Sequence, residues 1–144
     1  MLMPDVNVLV YAHRRDEAGH EAYRDWLTRL VTADQPFALS VLVAAAFVRI
    51  VTSPSVFREP TPLPLALAAV DAMAARNNCH LQAPGLRHWQ LVREACLAAG
   101  ATGKLVADAQ HAAVAVEHGC EWVTRDRDFE RFSDWGLRWR LLVL

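Results

Sequence analysis

Residues Lys104–Phe129 read KLVADAQHAAVAVEHGCEWVTRDRDF, and the reading of this stretch decides the fold. It predicts a helix over Leu105–His118, a tight turn, a short strand over Glu121–Thr124 and an acidic loop. The helix is apolar on nearly every side, with Leu105, Val106, Ala109, Ala112, Ala113 and Val116 spread around it. A helix that is apolar all round is a buried one. Asp108, in its first turn, is the anomaly. An ionised carboxylate is buried only when it is paired or binds a metal. Gly119 ends the helix, as glycine commonly does just past a C-cap. Asp126 and Asp128 follow the strand at once, so acidic positions gather near one end of a compact unit.

A third acid stands at the start of the chain. The run MLMPDVNVLVYA, residues 1–12, is apolar apart from Asp5 and Asn7. Met1–Pro4 predicts a buried strand. Asp5 has two readings that are compatible: the N-cap of a helix over Val6–His13, a place that Asp and Asn favour, or a member of a carboxylate site.

The bulk numbers narrow the class. A chain of 144 residues fits one domain, here taken as residues 1–144, and can bury roughly 70% of its unfolded surface. With 53% hydrophobic residues and a formal net charge of −1, the molecule is globular and no general polyanion binder. Contact with nucleic acid must come from local patches. Cys79, Cys96 and Cys120 are odd in number and lack metal-ligand spacing, so they read as reduced thiols of a cytoplasmic protein. No run is long and apolar enough for a membrane span, and no secretion signal is recognised.

Around the central stretch, strands and helices alternate, which predicts an α/β domain with a mostly parallel sheet. A helix over His20–Thr32 carries Ala22, Trp26, Leu27 and Leu30 on one face and Arg24, Asp25 and Arg29 on the other. Pro36–Ser40 predicts a strand, and Ser40 caps a helix over Val41–Val51 whose inner face is read as Leu42, Ala45, Ala46 and Ile50, with Phe47 alongside. Thr52-Ser53-Pro54 stops that helix. Leu63–Arg76 predicts an amphipathic helix packed through Leu65, Ala69 and Met73. Cys79–Gln82 is a short strand, Arg87–Ala99 a helix ended by Gly100, Phe129–Trp135 a helical turn, and Leu137–Leu144 a final strand. The five tryptophans are scattered and are assigned to core and interfaces.

In order and spacing these residues resemble a known family. DVNVLVYA at Asp5–Ala12, VADAQHAAVAVEHG around Asp108 and TRDRDF at Thr124–Phe129 are similar to the motifs of PIN-domain ribonucleases, and most of all to VapC-type toxins of bacterial toxin–antitoxin pairs. FVRIVTSPSVF, residues 47–57, resembles a segment common in one branch of those toxins. The resemblance covers almost the full chain. It implies a PIN-like three-layer α/β/α sandwich with a central mostly parallel sheet, the acids lying at the C-terminal ends of the strands where such sheets hold ligands. It maps catalytic and metal-binding roles onto Asp5, Asp108 and Asp126, a fourth contribution onto Asp128, and supporting positions onto Asn7 and Thr124. It also implies a cognate antitoxin that covers the cleft, and a homodimer, for which the helix Leu63–Arg76 offers an apolar face.

The chemistry that follows is Mg²⁺-dependent hydrolysis of RNA, with Mn²⁺ as an alternative ion. Clustered carboxylates repel one another, and a hard cation with oxygen preference relieves that conflict. The resemblance implies products with a 3′-hydroxyl and a 5′-phosphate. Arg125, Arg127 and Arg49 are the candidates for gripping phosphate, ahead of Arg14 and Arg15; Arg125 and Arg127 can also pair with the acids. His111, one turn from Asp108, is read as packing or as a hydrogen-bonded neighbour rather than a ligand. One departure stands out: Ala46 occupies the place where many relatives carry a glutamate. The alternative reading is therefore a PIN-like RNA- or antitoxin-binding module with weak or no catalysis. A receiver-like or phosphatase-like domain would need a lysine beside the acids; the sole lysine, Lys104, precedes the buried helix, which counts against that reading.

Overall fold

Strand β1 (Leu2–Pro4) and strand β4 (Glu121–Thr124) lie side by side at the centre of a five-stranded sheet, with Pro4 opposite Val123. A computed structural model describes residues 1–144. Strand β2 (Phe37–Ser40) flanks β1 on the other side, β3 (Cys79–Gln82) forms one edge and β5 (Trp139–Leu141) the opposite edge. Every pairing is parallel, so the sheet is parallel throughout. The order β3-β2-β1-β4-β5 reverses direction at β1. The chain first builds outward on one side of β1, then crosses to the other.

Parallel strands need crossovers, and the helices that supply them cover both faces. They are α1 (Val6–His13), α2 (His20–Thr32), α3 (Val41–Val51), α4 (Leu63–Ala74), α5 (His88–Ala99) and α6 (Lys104–Glu117), with a 3-10 turn at Arg127–Phe132. The strand pleat divides the core. Met3 and Trp122 join the larger cluster with Phe37, Leu39, Phe47, Val51 and Ala112. Their neighbours Leu2 and Val123 face the other way, into a smaller cluster with Val8, Ala12, Tyr23 and Leu142. The result is the α/β/α sandwich expected from the alternation of elements.

Helix α6 is buried along most of its length, including Leu105, Ala109, Ala112, Ala113, Val114 and Ala115, all at most 9% exposed. Alanine gives it a thin profile and costs nothing in helix propensity. It ends at Gly119, whose φ of 66° suits a residue without a side chain. Several face assignments differ from expectation. In α2 the buried residue is Tyr23, while Ala22 is exposed. Tyr23 extends its hydroxyl to the carbonyl of Leu142 at 3.2 Å, which gives its polar tip a partner. In α3 the fully buried residues are Val43, Phe47 and Val51, with Leu42, Ala46 and Ile50 packed partly behind them and Ala45 exposed. In α4 Ala66 is the buried residue; Leu65 points to solvent and is 61% exposed. Trp122 is fully buried, whereas Trp89 is 71% exposed and is no core residue. The final strand is only three residues long, because β5 pairs with β4 alone, and β4 ends at Thr124.

Candidate active site

The register of β1 against β4 builds the site. Pro4 sits opposite Val123, so the first residues after both strands emerge together at the C-terminal edge of the sheet. The backbone N–H of Asp5 donates to the carbonyl of Val123 at 2.8 Å, extending the ladder by one step. Asp5 then turns into α1 as its N-cap, its Oδ1 accepting from the Val6 N–H at 2.6 Å. Both sequence readings of Asp5 therefore describe one residue. The capping bond fixes the carboxylate beside β4.

Thr124 holds the site together. Its hydroxyl donates to Asp5 Oδ2, and accepts from the Asp126 N–H at 2.9 Å and from Asn7 Nδ2 at 3.3 Å. One fully buried oxygen thus uses its donor and both acceptor positions. Asn7 closes the link from the other side, its Oδ1 accepting from the Arg125 N–H at 3.2 Å. Asp126 starts the 3-10 turn, accepting from the Asp128 N–H at 2.9 Å through Oδ1. Its Oδ2 is left to face the cleft, where it meets Lys104 Nζ at 3.1 Å.

Asp108 is brought in by α6. It is 8% exposed, and its Oδ2 makes no hydrogen bond. The nearest cation is again Lys104 Nζ, at 3.8 Å, too far for a hydrogen bond. Asp5, Asn7, Asp108, Asp126, Lys104, His111, Ala46, Arg49 and Glu17 all line a single cleft of about 400 Å³. Its opposite wall is apolar, formed by Val10, Ile50, Val56 and Phe57. The three aspartates far apart in sequence thus share one cleft.

Burial sets the electrostatics. Asp5 is pushed up from 3.8 to about 6, chiefly because it is withdrawn from water; the Thr124 and Val6 bonds pull it down, and the charges of Asp108 and Asp126 raise it. Asp108 is raised for the same first reason, with Lys104 opposing and Asp126 and Asp128 adding to the rise. His111 is lowered to about 4 by burial, and it stacks on Trp122 with ring centroids 5.6 Å apart. It is a neutral imidazole packed under the site.

These groups fit a hard divalent cation. The donors are carboxylate oxygens, one of them a buried atom with no hydrogen bond, and burial with the neighbouring acids disfavours the ionised form of both Asp5 and Asp108. As the side chains lie, no three of them form a ready-made cage for one ion. Asp126 is turned toward Lys104, and Asp5 toward Thr124.

The arginines divide. Arg49 lines the cleft, whereas Arg127 is exposed at the start of the 3-10 turn and is not part of its lining. The guanidinium of Arg125 instead lies 3.5 Å over the Tyr11 ring and 5.0 Å from that of Tyr23, with Nε donating to the Tyr23 hydroxyl at 2.8 Å. Arg14 clamps the loop after α3, pairing with Asp16 at 2.6 Å, donating to the Glu59 carbonyl at 2.9 Å and lying over Phe57. Neither Arg125 nor Arg127 pairs with the acids; Lys104 does. Sequence reasoning set Lys104 apart from the site and missed Glu17. The signal for Lys104 was present, since it precedes Asp108 by one helical turn and the two face the same way. Glu17 lies in an irregular loop, where spacing carries no such information. The lysine beside the acids also removes the argument used against a receiver-like domain, and relatedness decides that question instead.

A PIN domain model matches residues 2–134. Ribonuclease VapC25 of Mycobacterium tuberculosis (strain ATCC 25618 / H37Rv) is 44% identical over 92% of this chain and 94% of its own length. Ribonuclease VapC43 of the same organism is 46% identical over 97% and 94%. Among solved structures, VapBC2 from Rickettsia felis, bound to a DNA fragment from its promoter, superposes with a TM-score of 0.69 at 17% identity, covering 97% of both chains. Mycobacterium tuberculosis VapC20, described as a Sarcin-Ricin loop cleaving toxin, gives a TM-score of 0.63 at 16% identity over 95% of this chain and 96% of that one. These likenesses agree with the parallel sheet flanked by helices: the chain belongs to the PIN domain family, among the VapC ribonucleases.

Proposed function

We propose that this chain is the toxin of a toxin–antitoxin pair and an endoribonuclease that hydrolyses RNA phosphodiester bonds with Mg²⁺ or Mn²⁺ held by Asp5, Asp108 and Asp126. The observation that carries the reading is the meeting of these three carboxylates in one cleft, in a chain 44% identical to a ribonuclease. When bound, the divalent ion supplies charge neutralisation at the scissile phosphate and activation of water. The protein supplies position. Thr124 and the Val6 N–H hold Asp5 in one rotamer. The 3-10 turn holds Asp126, leaving one oxygen for the cleft. Asp108 presents an oxygen that accepts no hydrogen bond and has only the Lys104 ammonium near it, 3.8 Å away. Arg49 and Arg127 grip the RNA backbone, Arg49 from the α3 wall. Arg125 braces the loop after β4 against α1 and α2 through Tyr11 and Tyr23 rather than reaching into the cleft.

Support for an antitoxin partner comes from the solved VapBC structures with the same fold. The exposed leucines Leu63 and Leu67, one turn apart on α4, offer a face for a homodimer in the cytoplasm. The second reading, binding with little catalysis, is favoured by Ala46, whose methyl group lines the cleft where a carboxylate would face the ion. Cleavage of a structured RNA by purified protein across Mg²⁺ and Mn²⁺ concentrations separates the two. Metal-dependent cleavage that disappears in Asp108→Asn supports the nuclease. Wild-type protein that binds RNA but leaves it intact supports the module.

A further inference from the structure

Lys104 is the only lysine of the chain and the first residue of α6. Gly103 precedes it with φ 57° and ψ −127°, a backbone conformation open to glycine, and this bend aims the first turn of α6 at the acids. The ammonium group lies 3.1 Å from Asp126 Oδ2 and 3.8 Å from Asp108 Oδ2. It therefore stands between the two carboxylates that come from different elements of the site. The fit is unequal. Asp126 receives a hydrogen bond, while Asp108 Oδ2 receives only charge and stays unsatisfied. The side chain is 72% exposed, so nothing packs it in place.

We infer that Lys104 is a built-in counter-ion for Asp108 and Asp126, which a divalent cation must displace before those carboxylates can hold it. This rests on the proposal that the carboxylates bind such a cation. A tethered, monovalent ammonium serves both acids poorly. A small divalent ion at about 2.0–2.1 Å from each oxygen serves them better, and the exposed stem lets Lys104 swing into solvent. The contribution of an exposed ion pair is small. The counter-ion is thus weak enough to yield, yet it raises the concentration of metal at which the site fills. The inference concerns this chain's own threshold for metal, in the absence of RNA.

The test is Mn²⁺ binding by full-length wild type, Lys104→Met, Lys104→Gln and Lys104→Arg, followed by calorimetry and by the spin-resonance signal of free Mn²⁺. The two neutral variants should bind Mn²⁺ about two- to fivefold more tightly than wild type, the range set by an exposed pair, while Lys104→Arg stays within twofold. The gap should narrow at high salt, since the effect is a screened charge. Equal or weaker binding by both neutral variants, with wild type binding normally, overturns this inference and leaves the proposed function standing. Binding by none of the proteins overturns both. The residue is exposed, so folding of the variants is checked by their thermal unfolding in chelator. Lys104→Gln keeps a polar side chain should Lys104→Met prove poorly soluble.

Discussion

Replacing Asp5 with Asn should stabilise the metal-free protein at neutral pH, although the Asp5 carboxylate accepts hydrogen bonds from both Val6 and Thr124. Asp5 is 5% exposed and titrates near 6 instead of 3.8. The folded state keeps this proton up to about pH 6, whereas the unfolded chain releases it near 3.8. Stability from Asp5 is therefore fully present below pH 3.8 and is lost as pH rises through 6. The difference between about 6 and 3.8, at 1.36 kcal/mol per pH unit, makes the ionised group cost about 3 kcal/mol at pH 7.5. Asparagine removes that cost. With Oδ1 still accepting from the Val6 N–H, the new Nδ2 stands where Oδ2 was and cannot accept the Thr124 hydroxyl proton, which loses about 1 kcal/mol. The net gain is about 2 kcal/mol, or roughly 4–8 °C in Tm for a chain of this size. The assay is thermal or urea unfolding of wild type and Asp5→Asn in chelator between pH 4 and pH 8. The difference between the two curves should run from a loss of about 1 kcal/mol at the acid end to the gain at pH 7.5. Using the difference cancels the other titrating groups. An Asp5→Asn protein that is less stable than wild type at pH 7.5, or a difference that ignores pH, refutes the burial argument.

Thr124→Val removes the oxygen that serves Asp5, Asp126 and Asn7; it should destabilise by about 1–3 kcal/mol in urea unfolding, with Thr124→Ser close to wild type. Arg125→Met should weaken the fold by about 0.5–2 kcal/mol through the lost tyrosine contacts while changing the KM for RNA less than twofold; a large rise in KM with unchanged stability would return Arg125 to the phosphate-binding set. Ala46→Glu restores a carboxylate to the cleft wall and should tighten Mn²⁺ binding about tenfold, or ~1.4 kcal/mol, measured by calorimetry. Unchanged affinity there would mean that position 46 does not face the ion.

Much of the architecture was legible in the chain itself. The all-apolar α6 with a single acid, the glycine stop and the strand leading to Asp126 form a local pattern, and local patterns survive into structure. The β1 run was equally plain. What failed were choices of face. Alanine reads as neutral on any helical wheel: of the α3 face read as Leu42, Ala45, Ala46 and Ile50 with Phe47 alongside, Phe47 is buried and Leu42, Ala46 and Ile50 pack partly, but Ala45 is exposed and the buried Val43 and Val51 were missed. Tyr23 was overlooked because its ring packs inside while its hydroxyl finds a distant backbone partner, and composition cannot announce that partner. The arginines illustrate a third limit. Arg125 and Arg127 flank Asp126 in sequence, but adjacent residues in an extended segment point to opposite sides. Arg125 accordingly turns to Tyr11 and Tyr23. Lys104 reaches the acids because helical geometry, rather than proximity in the chain, brings it there.

The pairing of β1 with β4 has a consequence for the order of events during synthesis. Asp5 is synthesised well before its partner Thr124, which lies 119 positions later. Contacts separated so widely form late and depend on the whole sheet closing. A nascent or truncated chain that stops short of β4 carries the first aspartate without Thr124 or Asp126. The carboxylate cleft therefore comes together only once β4 has been made and has paired with β1.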